Sequence, residues 1–191
     1  PYIQGVQKNG VAVCLKHFAL NNQECNRHTA DVDVDDRALY EIYLPAFKKG
    51  VEEGDAWSIM ASYNLYKGQH LCHNKYLLDD VLKGEWKFDG AVISDWGGAC
   101  DPDQAAAYGL DLEYGTWTDG LTTKGKTSYD SYMLADPYLE RLRDGRASLK
   151  TLDDKAGRVL KLIFRTSMNR KKPFGSINSP EHLAAARQIG A

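Results

Sequence analysis

The residues best suited to chemistry stand where short apolar runs of the sequence end. Lys16 and His17 end one run, Tyr63 follows a second, and Asp95 follows a third and precedes a Trp-Gly-Gly segment. A carboxylate held at the end of a buried strand can act as a nucleophile or stabilise positive charge during a reaction. Cationic groups beside such a carboxylate keep it ionised, because opposite charge lowers the pKa of a carboxyl group. The residue types therefore indicate a site where one carboxylate works beside hydrogen-bond donors.

Each of these residues also has an ordinary structural interpretation. Asp95 is equally able to cap a helix or to sit in a solvated loop. Lys16 and His17 fit a lysine that extends to solvent beside a hydrogen-bonded core histidine. Lys16 also fits a Schiff-base lysine of the kind that barrel aldolases use on carbonyl substrates. These alternatives stay open on the residues alone.

Three residues near these segments also have an ordinary structural interpretation. Arg27 ends an amide-rich stretch, residues 21–27, which is too polar for a core and is consistent with either a solvated loop or a site. Met60 is apolar and would ordinarily belong to the core. Tyr63 either holds the Asp95 carboxylate through its hydroxyl group or only packs against its neighbours.

Metal chemistry finds little support in the sequence. The spacings Cys25-x-x-His28 and His70-x-Cys72-His73 contain ligand residue types, but neither forms the paired four-ligand pattern of a zinc site. We therefore predict no metal and no other cofactor.

Alternating strands and helices must position these side chains. Apolar runs predict strands at residues 11–15, 57–61 and 90–94, with a fourth candidate at 109–112. Amphipathic spacing predicts helices at 35–49, 74–83, 132–143, 152–164 and from 181. Asp35 is the expected cap of the first of these, whose inward face would carry Leu39, Ile42, Tyr43, Ala46 and Phe47.

Strand and helix alternate without a hairpin signal, which predicts parallel strands joined by right-handed crossovers. A doubly wound sheet and a (β/α)8 TIM barrel both fit this α/β pattern. Four strands would make half of a barrel, which normally takes about 250 residues. The carboxyl ends of parallel strands face the ligand site, so the polar segments are expected to converge there.

Composition excludes several classes of protein. The 191 residues include 24 Lys+Arg and 26 Asp+Glu, a formal net charge of −2, which argues against a nucleic-acid partner. No apolar run approaches the roughly 18 residues that a membrane span needs. Apolar residues make up 43% of the chain, too many for a disordered one. The 4 cysteines are too few for a disulfide scaffold in a chain of this length, so reduced thiols are expected.

Four segments together resemble the β-glucosidase-like branch of the family 3 glycoside hydrolases. They are KHFALNNQE at residues 16–24, MASYN at 60–64, EWKFDG at 85–90 and VISDWG at 92–97. Their order and spacing match the family along nearly the whole chain. The resemblance implies hydrolysis of terminal non-reducing β-D-glucosyl residues by a retaining double displacement, with β-xylosidase activity as the alternative within the family. A non-catalytic sugar-binding remnant also remains open.

The resemblance also implies roles for individual residues. Asp95 would be the catalytic nucleophile. Six residues would bind the sugar or line its subsite: Lys16, His17, Arg27, Met60, Tyr63 and Trp96. The N-acetylglucosaminidase branch carries Lys-His-Phe-Pro-Gly-His-Gly, whereas this chain has Ala-Leu-Asn at residues 19–21, so that branch is disfavoured.

The family's other catalytic parts have no counterpart in this sequence. By resemblance, residues 1–168 would be the second half of the catalytic barrel, and residues 169–191 a linker with the start of a helix leading to a sandwich domain. That domain would supply the acid/base glutamate, and earlier barrel segments would supply further sugar-binding residues. We therefore expect the 191 residues alone to hydrolyse no unactivated glucoside.

Overall fold

The computed structural model describes residues 1–115, 132–169 and 177–191, and a parallel β-sheet lies at its centre. The strands are β1 (Cys14–Phe18), β2 (Asp31–Val32), β3 (Ser58–Ala61), β4 (Leu65–Tyr66), β5 (Gln69–His70) and β6 (Ala91–Ser94). Three of them form the central sheet in the order β1-β3-β6, and both neighbouring pairs are parallel. Helices connect these three strands, which confirms the predicted α/β class and the strands predicted at 57–61 and 90–94.

The helical segments differ in type. Those with regular α-helical bonding are Tyr2–Gln7, Asp36–Ala38, Pro45–Glu52, Pro102–Ala107, Asp136–Arg143, Leu149–Arg165 and Pro180–Ile189, while Leu39–Tyr43 and Tyr76–Glu85 are wider π-type segments and Leu71–His73 is a 3₁₀ turn. The helices predicted at 74–83, 132–143, 152–164 and from 181 are confirmed with small shifts of their ends. Residues 170–176 of the expected linker lie outside the described residues.

The first strand begins at Cys14 and not at Val11, so the prediction of its bounds is wrong. Pairing with β3 starts where Cys14 lies opposite Ser58. Before that point the two segments do not pair as strands, and the side chain of Gln7 bridges them instead. Its Oε1 accepts from Val13 N at 3.4 Å and from Trp57 N at 2.9 Å. The apolar run therefore marks the approach to the strand. As a consequence, the pair at positions 16 and 17 lies within β1 and does not follow it.

The helix predicted over 35–49 is interrupted. Asp35 caps it as expected, because its Oδ1 accepts from Ala38 N at 2.7 Å. Pro45 lacks an N–H and would clash with the carbonyl one turn earlier, so the chain widens before it and starts a new helix. The wider turn places Leu44 in the core and leaves Ile42 70% exposed, which corrects the predicted inward face.

A short hairpin is present although no hairpin was predicted. β4 and β5 pair antiparallel, and β2 pairs parallel with β4 to form a second small sheet. The turn consists of Lys67 and Gly68, whose φ angles are 52° and 75°. Two positive φ values are typical of the tight hairpin turn that usually carries Asn-Gly or Asp-Gly. Lysine in the first position hides that signal in the sequence.

The main core lies between the central sheet and the helix Tyr76–Glu85. Four residues of this helix are fully buried, and they are the four that the sequence pattern predicts: Leu77, Leu78, Val81 and Leu82. Phe18 at the end of β1 contacts Phe47 and Trp86 edge to face, with ring centroids 5.2 Å and 5.9 Å apart. These contacts hold the carboxyl end of β1 against its flanking helices.

The candidate fourth strand is only partly confirmed. Residues 109–112 form one parallel bridge to the central sheet, between Leu112 and Ile93. Ser94 N donates to Leu112 O at 2.9 Å, and two further N–H groups of the segment donate to Val92 O. The backbone ladder is this short because a side-chain oxygen, and not a backbone carbonyl, accepts from the N–H of Val92 in β6.

A buried ion pair supplies that side chain. Asp111 Oδ2 accepts from Val92 N at 2.8 Å, and Asp111 Oδ1 lies 2.8 Å from Lys83 Nζ. From the helix Leu149–Arg165, the buried Lys155 donates to two backbone carbonyls of the segment before Asp111, each at 2.5 Å. Charged groups thus fasten this segment and the long helix to β6. In the described part of the chain, no helix has both the length and the apolar character of a membrane span.

Candidate active site

Asp95 follows β6 directly, at the carboxyl end of the sheet, and its carboxylate is held from two sides. Its side chain is 11% exposed, and Oδ2 lies 3.4 Å from His17 Nε2. Oδ1 accepts from Trp96 N at 2.8 Å. The backbone of Asp95 is fixed as well, because its N–H donates to Ala61 O at the end of β3. The geometry presents one oriented carboxylate at the mouth of the sheet.

Tyr63 stands next to this carboxylate. Its hydroxyl donates to Trp96 O at 2.8 Å. Burial raises the pKa of Tyr63 to about 12, and the charge of Asp95 and a hydrogen bond to it act in the same direction. The phenol therefore keeps its proton across the physiological range and serves as a donor beside Asp95.

The loop that contains Arg27 covers Tyr63. The Arg27 guanidinium lies 4.7 Å from the centroid of the Tyr63 ring, and the His28 ring lies 4.2 Å from the same centroid. Arg27 forms an ion pair with Glu24 at 3.1 Å. The amide-rich stretch is therefore a folded loop that packs on Tyr63, and His28, which the sequence suggested only as a weak metal ligand, is a second neighbour of that ring.

Two of the predicted site residues have a position in the sheet but no hydrogen bond or ion pair to Asp95 within the residues that the structure describes. Lys16 is exposed on β1 beside His17, and Met60 is half-buried in β3. The structure gathers His17, Arg27 and Tyr63 around Asp95. Trp96, the next residue along the chain, is 57% exposed at the edge of this group.

Trp96 is paired with an aromatic residue that sequence reasoning missed. The rings of Trp96 and Tyr114, here called the aromatic rim, have centroids 6.0 Å apart and are tilted by 51°. Tyr114 is 44% exposed, and its N–H donates to Ser94 Oγ at 2.8 Å. Gly115 has a φ of 56°, and a Cβ there would meet the Trp96 ring at 2.4 Å, so glycine lets the ring lie against the backbone. An aromatic residue shortly after a candidate strand was the available signal.

Glu113, which precedes Tyr114 in the chain, lines a cavity of about 260 Å³. Its Oε2 accepts from Leu134 N at 2.8 Å. Burial raises the pKa of Glu113 to about 7, although the backbone hydrogen bonds oppose the shift. Part of the Glu113 population therefore carries a proton at neutral pH.

Glu113→Gln should remove a component of the pH dependence of stability. Because the folded state raises this pKa from 4.5 to about 7, it binds the proton more tightly than the unfolded state does. Stability from this group is therefore full at low pH and is lost as pH rises through that window. We expect the unfolding midpoint of the protein that carries this chain to fall as the pH rises from 4 to 8. The fall should be smaller for Glu113→Gln than for the wild type.

The matched control is Glu140→Gln, which alters an exposed glutamate on the helix Asp136–Arg143. It should leave the fall of the unfolding midpoint with rising pH unchanged. An identical pH dependence in Glu113→Gln and in the wild type would contradict this assignment.

The sequence patterns with metal-ligand residue types are not assembled as written. Cys72 is buried and its Sγ donates to Ser62 O at 3.3 Å, while Cys25 is exposed. All four cysteines are free thiols. Within residues 1–115, 132–169 and 177–191, no group of three or more His, Cys, Asp or Glu side chains is arranged to hold a metal ion.

Several enzyme families place a carboxylate and hydrogen-bond donors at the carboxyl end of a parallel β-sheet. Residues 1–113 match the glycosyl hydrolase family 3 N-terminal domain, and the chain belongs to that family. This confirms the resemblance drawn from the four segments.

Individual relatives place the chain more closely. It is 59% identical over 189 residues to beta-glucosidase BoGH3A of Bacteroides ovatus, covering 99% of this chain and 25% of that protein. It is 40% identical over 190 residues to thermostable beta-glucosidase B of Acetivibrio thermocellus, covering 100% and 23%. The structure of beta-glucosidase 3B from Thermotoga neapolitana in complex with glucose is similar with a TM-score of 0.83 at 33% identity, covering 97% and 25%. The chain thus spans about a quarter of the length of these relatives.

Proposed function

We propose that this chain is the nucleophile-bearing part of a retaining β-glucosidase that releases terminal non-reducing β-D-glucosyl residues. The observation that carries the proposal is the Asp95 carboxylate at the end of β6, with His17 at 3.4 Å and a protonated Tyr63 beside it. Identity of 59% to a protein named a beta-glucosidase supports the choice of substrate.

In the first step, ionised Asp95 attacks the anomeric carbon of the sugar. The new bond joins C1 to a carboxylate oxygen while the bond from C1 to the aglycone oxygen breaks, through a transition state that resembles an oxocarbenium ion. The leaving oxygen takes a proton from a general acid. Water then attacks C1 on the same face as the leaving group had occupied and gives its proton to the former general acid, which now acts as the base, while Asp95 departs as a carboxylate. Two inversions retain the β configuration of the product.

Local hydrogen bonds suit Asp95 to this role. Trp96 N–H fixes one carboxylate oxygen, and His17 stands at the other. These contacts fix the orientation of the carboxylate at the carboxyl end of β6. We propose that Lys16, His17 and Arg27 bind sugar hydroxyls, and that Met60 lines the pocket.

The aromatic rim gives the substrate an apolar contact. Sugars present C–H faces that pack on aromatic rings, and Trp96 and Tyr114 offer two exposed rings next to the nucleophile. We propose that this aromatic rim contacts the substrate. The exposed Lys16 lacks the apolar pocket that activates a Schiff-base lysine, so the aldolase alternative is not carried further.

The general acid is proposed to come from a part of the protein outside these 191 residues. A retaining enzyme needs a second carboxyl group about 5–5.5 Å from the nucleophile. The relatives are about four times as long as this chain, which leaves room for a sandwich domain that carries such a glutamate. On this proposal residues 1–168 form part of the catalytic barrel, and residues 169–191 lead towards that domain.

Covalent labelling tests the proposal. An activated 2-deoxy-2-fluoro-β-glucoside forms the glycosyl-enzyme quickly, but its fluorine slows hydrolysis, so the intermediate accumulates. We expect the full-length protein to gain one fluoroglucosyl group, and peptide mass spectrometry to locate it on Asp95. The corresponding xyloside at equal concentration should label more slowly, and faster labelling by it would favour a β-xylosidase.

The label should be absent from Asp95→Asn and present in Asp89→Asn, which alters an exposed aspartate at the other end of the same strand. If the wild type gains no adduct while still binding glucose, the chain belongs to a non-catalytic carbohydrate-binding protein and the proposal fails.

A further inference from the structure

Cys100 and His73 form a thiol–imidazole pair that the proposed function does not use. Cys100 Sγ lies 3.4 Å from His73 Nε2. The thiol is exposed to solvent, whereas His73 is only 1% exposed. Cys100 ends the loop that begins at Asp95, and His73 ends the 3₁₀ turn Leu71–His73. The pair therefore connects two separate segments near the carboxyl end of the sheet.

Hydrogen bonds behind His73 fix which nitrogen carries the proton. Gln104 Nε2 donates to Asp101 Oδ2 at 2.9 Å, which sets the orientation of the Gln104 amide because a carboxylate only accepts. The amide oxygen Oε1 then lies 3.1 Å from His73 Nδ1, so Nδ1 must donate to it. Nε2 keeps its lone pair and directs it towards Cys100. An imidazole with its far N–H held by a protein oxygen is the form in which histidine binds metals.

The separation of the pair suits a tetrahedral metal ion. A zinc ion binds a thiolate at about 2.3 Å and an imidazole nitrogen at about 2.0–2.1 Å, which at a tetrahedral angle places the two donor atoms about 3.5 Å apart. The observed distance of 3.4 Å needs almost no rearrangement. Exposure of Cys100 gives an ion a path from solvent.

We propose that Cys100 and His73 are a binding site for a thiophilic divalent cation of the zinc group, Zn²⁺ or Cd²⁺. The metal–sulfur bond forms as the thiol proton leaves to water, and the metal–nitrogen bond uses the lone pair of Nε2. Water molecules complete the coordination, because the described residues supply two protein ligands at this place. The bound ion links the loop after Asp95 to the turn at His73.

Cadmium binding to the full-length protein tests the site directly. Cd²⁺ bound to a thiolate gives an ultraviolet charge-transfer band, which we expect to grow with the added ion until one site per chain attributable to this pair is filled. Cys100→Ser should abolish that component and weaken binding there at least about tenfold, since losing even an outer partner of a metal ligand costs 10–100-fold. Cys25→Ser, which removes another exposed thiol, should leave the titration unchanged.

His73→Gln should also weaken binding, with circular dichroism used to confirm that this buried substitution leaves the fold intact. Gln104→Leu keeps both ligands and removes the hydrogen bond behind His73, so we expect an intermediate loss. Equal cadmium titrations of the wild type and Cys100→Ser would overturn the inference, as would an equal loss in Cys25→Ser. Because binding is read without a sugar substrate, the site can be confirmed even in a protein that hydrolyses no glucoside.

Discussion

Asp95→Asn is expected to lower kcat of the full-length protein on an aryl β-glucoside by about 10³–10⁶-fold, the range seen when a catalytic nucleophile is removed. The amide has nearly the same shape as the carboxylate, and its oxygen can still accept from Trp96 N, so the fold should persist. On the proposed mechanism, the substitution removes the ionised carboxylate oxygen that would form the bond to C1. Initial rates of nitrophenol release, measured with active-site content checked by glucose binding, report the effect.

Asp89→Asn is the matched control for this experiment. Asp89 stands before β6, whereas Asp95 follows it, and its partner is the exposed Lys161. A surface ion pair of this kind contributes at most about 1 kcal/mol, so neither turnover nor stability should change much. Undiminished turnover in Asp95→Asn would remove the nucleophile from the proposed mechanism. A comparable loss in Asp89→Asn would mean that the strand, and not the carboxylate, had been disturbed.

Asp111→Ala is expected to give the largest loss of stability, roughly 3–5 kcal/mol, because it leaves a charged partner without compensation inside the protein. The Asp111 side chain is 1% exposed and that of Lys83 is 16% exposed. The substitution also leaves the N–H of Val92 without its side-chain acceptor. In the protein that carries this chain the midpoint of thermal unfolding, measured by calorimetry, should fall accordingly.

Two further variants show whether the lost charge pair is the cause. Asp154→Ala removes an exposed carboxylate that pairs with Lys150 on the same helix, and it should change stability by no more than about 0.5 kcal/mol. In Lys83→Met/Asp111→Leu both charges are gone, so we expect part of the loss to be recovered. A loss of unfolding free energy in the double variant that is larger than the sum of the losses in the two single variants would contradict the ion-pair explanation.

The parts of the fold that follow from local patterns were predictable. The helix Tyr76–Glu85 shows its four buried leucine and valine positions directly in its spacing, and β3 and β6 stand out as short apolar runs between polar turns. The position of Asp95 follows from the same reasoning, since parallel strands bring their carboxyl ends to one face. No long-range information was needed for any of these.

The errors arise where a distant strand partner or a single exceptional residue decides the local structure. β1 begins where Ser58 offers a partner, which no pattern within residues 11–15 reveals. Pro45 forces the chain to widen one turn earlier, so the inward face cannot be read from a regular period. The hairpin turn accepts Lys67 at a positive φ, against the usual preference.

The same limit applies to the candidate site. Asp95 and Tyr63 could be named because each follows an apolar run in the sequence, and Trp96 could be named through the resemblance to the family. Tyr114 was missed, because its contact with Trp96 depends on how residues 109–112 return to β6. Cys100 and His73 were missed as a pair for a similar reason, since 27 positions separate them along the chain.

The attachment of Asp111 to β6 has a consequence for engineering this enzyme family member. The strand that delivers Asp95 is clamped at Val92 by a carboxylate whose charge is balanced from two helices. Substitutions that loosen this contact are expected to lower the thermal stability of the protein and to disturb the position of Asp95 at the same time. On the proposed mechanism, thermal stability and the rate of attack on the sugar then depend on the same contact, and selection for either property should accumulate substitutions around Val92 and Asp111.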